Sequence, residues 1–101
     1  MDEPTAPRIT DNQDASRYEA YVGADLAGFA AYRPRGERIV FTHTEVDPAF
    51  EGQGIGSALA RYALDDVRTR GLVAVPLCPF ISAYLRRHPE YADIVEHDPL
   101  A

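Results

Sequence analysis

The chain has 101 residues, 46% hydrophobic and 26% charged, which is one domain's worth of sequence and too little for two. It has no apolar run near the ~20 residues that cross a bilayer and no basic-then-apolar leader, so neither a membrane partner nor export is expected and the location reads as cytoplasmic. Its formal charge is −6, without a block of five basic residues, which speaks against general nucleic-acid binding, and its single cysteine, Cys78, excludes an internal disulfide and fits a reducing compartment.

In chain order, residues 1–7 read as a flexible tail, 8–97 as the domain and 98–101 as a second tail. A short strand is expected at 8–11. After a polar turn, Tyr18, Ala20 and Val22 alternate with Glu19 and Tyr21, the pattern of a half-buried strand. Gly23 to Asp25 make a tight connection. The run from Leu26 to Arg33 is extended and aromatic, and Pro34 to Glu37 give the next turn signal. Arg38 to Val46 is dense in β-branched residues, and Asp47-Pro48 ends it. These three strands, joined by short turns, predict an antiparallel meander.

A helix follows over 53–70. Ile55, Leu59, Tyr62, Ala63 and Val67 form its apolar stripe, Asp66 and Arg70 an i, i+4 ion pair, and Gly71 its C-terminal cap. Leu72 to Cys78 is wholly apolar, as a strand buried on both faces is, and the strand–helix–strand order predicts parallel pairing. Cys78 then caps a second helix with Pro79 as its first residue, and His88-Pro89 closes it. From Tyr91 onward the pattern is weak.

The informative stretch is Glu51 to Leu64, EGQGIGSALARYAL. Gly52, Gly54 and Gly56 crowd the start of a helix, where a glycine inside the helix would cost about 1 kcal/mol. A helix start carries orphan amides and partial positive charge. Glycines there clear the approach and permit the positive φ angles of an amide nest, which makes a phosphate cradle. The plainer reading is a tight strand-to-helix turn, for which one glycine suffices. The chain has no lysine, which excludes a Walker loop. The alternating glycines after antiparallel strands fit the dinucleotide fingerprint poorly.

An antiparallel meander, an [Arg/Gln]-x-x-Gly-x-[Gly/Ala] loop opening a long helix, and a buried strand resemble the GNAT N-acetyltransferase superfamily. FTHTEVDPAFEGQGIGSALA and VPLCPFISAYLRRHPEYADIV resemble its small YjdJ-type branch, over residues ~8–95. The resemblance implies a minimal α/β (α+β) fold: antiparallel meander, helix, parallel-paired strand and short C-terminal helix. It implies acetyl-CoA as cosubstrate, no metal, and an amine acceptor, small molecule or protein. The pyrophosphate would lie on Glu51, Gly52, Gln53, Gly54, Ile55, Gly56, Ser57 and Ala58. The splayed strand end, Thr44 to Val46, would pair with the pantetheine arm, and a backbone N–H near Val46 would meet the thioester carbonyl. Glu51 departs from the usual Arg or Gln, and a carboxylate there opposes a phosphate. The branch lacks the early helices of larger relatives, so the acceptor side should be open.

Acetyl transfer also needs a base. His43 and Glu45 lie two residues apart on one strand and share a face. On spacing alone Glu45 reads first as a solvated or salt-bridged residue and His43 as a hydrogen-bonded structural one. Cys78 at a helix N-terminus reads either as a nucleophile that takes the acetyl group or as a small buried hydrophobe. Tyr84 reads as core rather than as the acid that protonates the leaving thiolate, His88 as a helix stop, and His97 as exposed. The leading expectation is an N-acetyltransferase, with a cationic acceptor suited to the acidic chain. The alternatives are a CoA-binding module without useful turnover, and a thiol enzyme built on Cys78 with His43. A monomer or weak dimer is expected.

Overall fold

The structure, a computed structural model, describes residues 6–96. His97 and the second tail lie outside them. The strands are β1 (Arg8–Asn12), β2 (Arg17–Val22), β3 (Asp25–Arg35), β4 (Arg38–Val46) and β5 (Val73–Pro76); the helices are α1 (Ile55–Thr69) and α2 (Pro79–Arg87). They form one sheet in the order β1-β2-β3-β4-β5. The first four strands make the antiparallel meander, and α1 carries the chain over to β5, which pairs parallel to β4. This is the expected α+β arrangement, with the first short strand joined to the meander. β3 runs on through Pro34 and Arg35, so the turn falls at Gly36-Glu37.

The core lies between one face of the sheet and the helices. Tyr18, Ala30, Ile39 and Phe41 from the sheet meet Leu59, Ala63, Leu64 and Val67 of α1 and Ile81 of α2. The apolar stripe of α1 is rotated from the expected one. Ala60 and Leu64 are fully buried, while Tyr62 falls at the stripe's edge, 43% exposed, its ring edge-on to Tyr18 at 6.1 Å. The Asp66–Arg70 pair forms at 3.3 Å. Gly71, at φ 68°, ends α1 in a Schellman arrangement: Leu72 N donates to Val67 O and Gly71 N to Arg68 O.

Two other expectations change. β5 is four residues long and lies at the sheet's edge. Leu77 has already left the sheet and is 51% exposed, because its amide and that of Cys78 both turn onto Phe41 O. The weakly patterned stretch after α2 is also built. A 3-10 turn, Pro89–Ile94, buries Tyr91 and Ile94, and Val95 bridges to Ala74 along the edge of β5. Two apolar residues three apart are too brief a signal to read as periodicity.

A β-bulge in β4 decides which side chains meet. The register steps from Ala31↔His43 to Tyr32↔Phe41, so Thr42 is an extra residue. Ile39 and Phe41 face the helices, and beyond the bulge Thr44 and Val46 do so. Val40, His43 and Glu45 face the other way, onto the sheet side that neither helix covers.

That open face holds one buried charge, Glu19, where strand alternation predicted an exposed one. It is 4% exposed. Arg17 Nε donates to it at 2.6 Å, Tyr21 Oη at 2.9 Å and Asn12 Nδ2 at 3.2 Å. Burial alone would raise its pKa. The three donors outweigh burial and hold the carboxyl below its ordinary value of 4.5. A group more acidic folded than unfolded stabilises the fold above that ordinary value and loses the contribution as pH falls through the lowered one. Glu19→Ala is therefore expected to remove about 1.5 kcal/mol of stability at neutral pH, by taking away the carboxylate that accepts from Arg17, Tyr21 and Asn12. It should also flatten the loss of stability below pH ~4.5. Thermal unfolding across an acid series checks both; an unchanged acid limb would contradict the assignment.

Candidate active site

The loop between β4 and α1 is shaped locally. Asp47 caps a 3-10 turn, Pro48–Phe50, its side chain accepting from Ala49 N at 2.8 Å. Gly52 and Gly54 follow with φ of 81° and 76°, the left-handed region that other residues enter at a cost. A Cβ built on either meets no atom within 4 Å, so the hollow in front of them is free of protein. The first backward hydrogen bond of α1 runs from Ala58 N to Gly54 O, 3.0 Å. The amides of Ile55, Gly56 and Ser57 precede it and point out of the helix start. The amide of Ala58 is thereby used inside the helix.

Gly56 has a different reason to be glycine. A Cβ there would lie 2.7 Å from the tip of the Phe80 ring. The first two glycines shape the nest, and the third lets α2 pack against the start of α1. The result is a hollow of ≈ 230 Å³ in which Val46, Glu51, Gly52, Gly54, Ile55, Gly56 and Ser57 come together, walled by Phe50 and Phe80. Gln53 and Ala58 do not line it.

Beside this hollow, the sheet opens. β4 and β5 pair only from Arg38↔Val73 to Phe41↔Pro76. Beyond Phe41 the two chains part, and Thr42 to Val46 have no neighbour on that side. Asp47 N donates across to Ala27 O of β3 at 2.8 Å. Backbone groups alternate sides along a strand, so the N–H of Val46 faces the gap. Gly28, across from Val46, belongs to the same construction. A Cβ there would lie 2.7 Å from Glu45 O and 3.2 Å from Ile55 Cγ2. An isolated glycine inside a strand is a sign of such close approach, and its role here escaped the sequence reading.

The side chains around the gap divide by face. Cys78 lies on the helix side, 2% exposed, its thiol donating to Thr44 Oγ1 at 3.3 Å. It stands at the N-cap of α2 ahead of Pro79, as expected. His43 Nε2 lies 3.2 Å from Glu45 Oε1, and both are well exposed on the open face. The His43 ring is 6.0 Å from that of Phe29. Since Thr44 and His43 are adjacent on β4, their side chains point to opposite faces. Cys78 and His43 are therefore not brought together as a dyad. Tyr84 is core: its ring stacks on His88 at 4.0 Å, and burial pushes its phenol up. His88 caps α2, its amide bonded to Leu85 O.

The sequence profile of the GCN5-related N-acetyltransferases matches residues 17–94, most of the described chain. The chain belongs to this family. Protein NATD1 of chicken and of mouse are each 42% identical to it over 59 residues, 57% of this chain and 54% of theirs. The chain thus spans about half the length of the curated relatives it matches. A GCN5-like protein of Staphylococcus aureus, solved by NMR, superposes with a TM-score of 0.69 at 20% identity over 90% of this chain and 89% of that one. The ribosomal-protein-S18-alanine N-acetyltransferase of Escherichia coli gives 0.54 at 24% identity, over 56% of this chain and 37% of that one. At these identities the superpositions speak for the fold alone, a GCN5-related arrangement of sheet and helices.

Proposed function

We propose that the protein is a cytoplasmic, acetyl-CoA-dependent N-acetyltransferase that moves the acetyl group directly to an amine, working as a monomer or weak dimer. The observation that carries this reading is the junction of two unfilled backbone features. The amides at the start of α1 open into the 230 Å³ hollow, and the unpaired edge of β4 begins at its rim. The hollow suits a pyrophosphate: the amides of Ile55, Gly56 and Ser57 precede the first helical hydrogen bond, the space in front of Gly52 and Gly54 is clear, and a helix start favours an anion. Glu51 on the rim is the feature that opposes it. Acetyl-CoA would supply the activated acyl group as a thioester. Ile55, Gly56 and Ser57 would bind its phosphates, and Thr44 to Val46 its amide-bearing arm. The N–H of Val46 is directed to where carbonyl charge would grow, a kind of contact that contributes about 3 kcal/mol. The His43–Glu45 pair, on the open face, would take the proton of the amine, directly or through one water. The affinity with the YjdJ-type branch belongs to this proposal and rests on the stretches 41–60 and 75–95.

Direct transfer is favoured because the Cys78 thiol is buried and already bonded to Thr44. In a thiol-release assay against a panel of amines, the protein is expected to turn over acetyl-CoA. Cys78→Ala should retain activity within about tenfold, the loss coming from a packing defect beside the gap. No turnover with any amine would defeat the reading. Complete loss in Cys78→Ala, with acetyl-Cys78 seen by intact mass in the parent, would replace direct transfer with an acyl-enzyme.

A further inference from the structure

The open face of the sheet is the largest feature that the site leaves unused. α1 and α2 both pack on the opposite side, and no helix of the described residues covers this one. Strand register assigns Arg8, Arg17, Arg33, Arg35 and Arg38 to it, half of the ten arginines in a chain of net charge −6. The carboxylates facing the same way on these strands are Glu19 and Glu45. Glu19 is buried and matched by Arg17, and Arg38 is paired with Glu96 at 2.7 Å. Among the described residues, Arg33 and Arg35 are exposed and have no ion-pair partner. The acidic balance of the whole chain thus hides a basic face.

A track of ring contacts leads from Arg17, on the same face, to the gap. Arg17 lies over the Phe29 ring at 4.6 Å, Phe29 neighbours His43, and His43 meets Glu45. At the end of the track, Leu26, Gly28, Phe29, Glu45, Asp47 and Pro48 line a cavity of ≈ 130 Å³. That holds one side chain or chain terminus, well short of the several hundred Å³ of a usual small-molecule site.

We infer that the acceptor is a polypeptide segment with acidic residues, laid along the open face with its amine at the Glu45 end and its carboxylates on Arg33 and Arg35. This rests on the acetyltransferase reading above and reverses part of the expectation of a cationic acceptor: the amine itself is the cation, and the chain behind it is anionic. The register follows from the strands. Arg33 pairs with Val40, five residues before Glu45, and at ~3.3 Å per residue an extended segment covers that distance in about five residues.

The test uses fluorescein-labelled peptides with a free N-terminal serine and a Glu/Asp block centred about five residues in, with Gln/Asn and Lys blocks as comparisons. Anisotropy is read without acetyl-CoA, so its result stands apart from turnover. The acidic peptide should bind about tenfold tighter than the amide version, and the advantage should shrink with salt. Arg33→Gln/Arg35→Gln should abolish it, and Arg33→Glu/Arg35→Glu should transfer the preference to the lysine peptide, a gain that misfolding cannot mimic. In the transfer assay the acidic peptide should have the higher kcat/KM by a similar factor. Equal binding of acidic and amide peptides, indifference to the arginine changes, or tighter arginine-dependent binding of an oligouridylate would overturn the inference. If peptide preference survives while acetyl-CoA fails to bind, the enzyme reading falls and the docking face remains.

Discussion

Val46→Pro is expected to lower kcat/KM by about 10²–10³-fold while the protein stays folded. Proline removes the backbone N–H, fixes φ and replaces the valine side chain. In most strands that breaks a ladder hydrogen bond, but Val46 lies where β4 has lost its β5 neighbour, and its N–H faces the gap. Proline is tolerated at such an edge. On the proposed mechanism, what disappears is the donor aimed at the growing carbonyl charge, and a donor of that kind is worth roughly 2.7–4 kcal/mol. Val46→Ala keeps the N–H and trims a half-buried side chain, so it should stay within a few-fold of the parent. Steady-state kinetics on both variants, with unfolding temperatures as controls, separates the two roles. Equal losses would mean that Val46 matters as a hydrophobic wall and that the gap is not where the carbonyl lies.

Gly28→Val should be the most destabilising exchange at a glycine in the sheet, by roughly 3 kcal/mol or more. Its Cβ would stand 2.7 Å from Glu45 O and 3.3 Å from Val46 Cα, both backbone, so no rotamer relieves the clash. β3 and β4 would have to separate at the point where β4 turns into the gap. For a domain of this size each kcal/mol is roughly 4–8 °C in Tm, so a fall beyond ~12 °C is expected. Gly23→Ala is the contrast. Its Cβ meets nothing within 4 Å, and the cost is the positive φ of 61° alone, about 1 kcal/mol. Comparable melting of the two would contradict the tight approach of β3 and β4.

Much of this was legible in the sequence because it rests on local rules. The Asp47-Pro48 stop, the Gly71 cap, the Asp66–Arg70 pair and Pro79 after Cys78 each act within one turn, and each stands where the pattern put it. The glycine run marked the hollow, although its three members do different work: Gly52 and Gly54 bend the backbone, and Gly56 admits Phe80. The bulge at Thr42 was not legible. One extra residue in a β-branched strand leaves no mark on composition, yet it sends Thr44 toward Cys78 and His43 away from it. Glu19 was misread for a related reason. Alternation gives the face, but burial on that face came from Arg17, Tyr21 and Asn12 on the same and neighbouring strands. The basic open face was hidden in part: Arg33, Arg35 and Arg38 cluster in sequence, but only register puts them on one face with Arg8 and Arg17.

The central claim is that the amide nest at the start of α1 binds the phosphates of acetyl-CoA. Calorimetric titration of acetyl-CoA into the parent, Gly54→Asn and Gly54→Asp tests it most directly. Both side chains have room at Gly54, and both residue types enter its φ of 76° more readily than most. They differ by one charge set among the amides. The account predicts binding by the parent, somewhat weaker binding by Gly54→Asn, and a loss of about 100-fold or more in Gly54→Asp. No heat with the parent, or equal affinities for the two variants, would contradict it and leave the glycines as a turn.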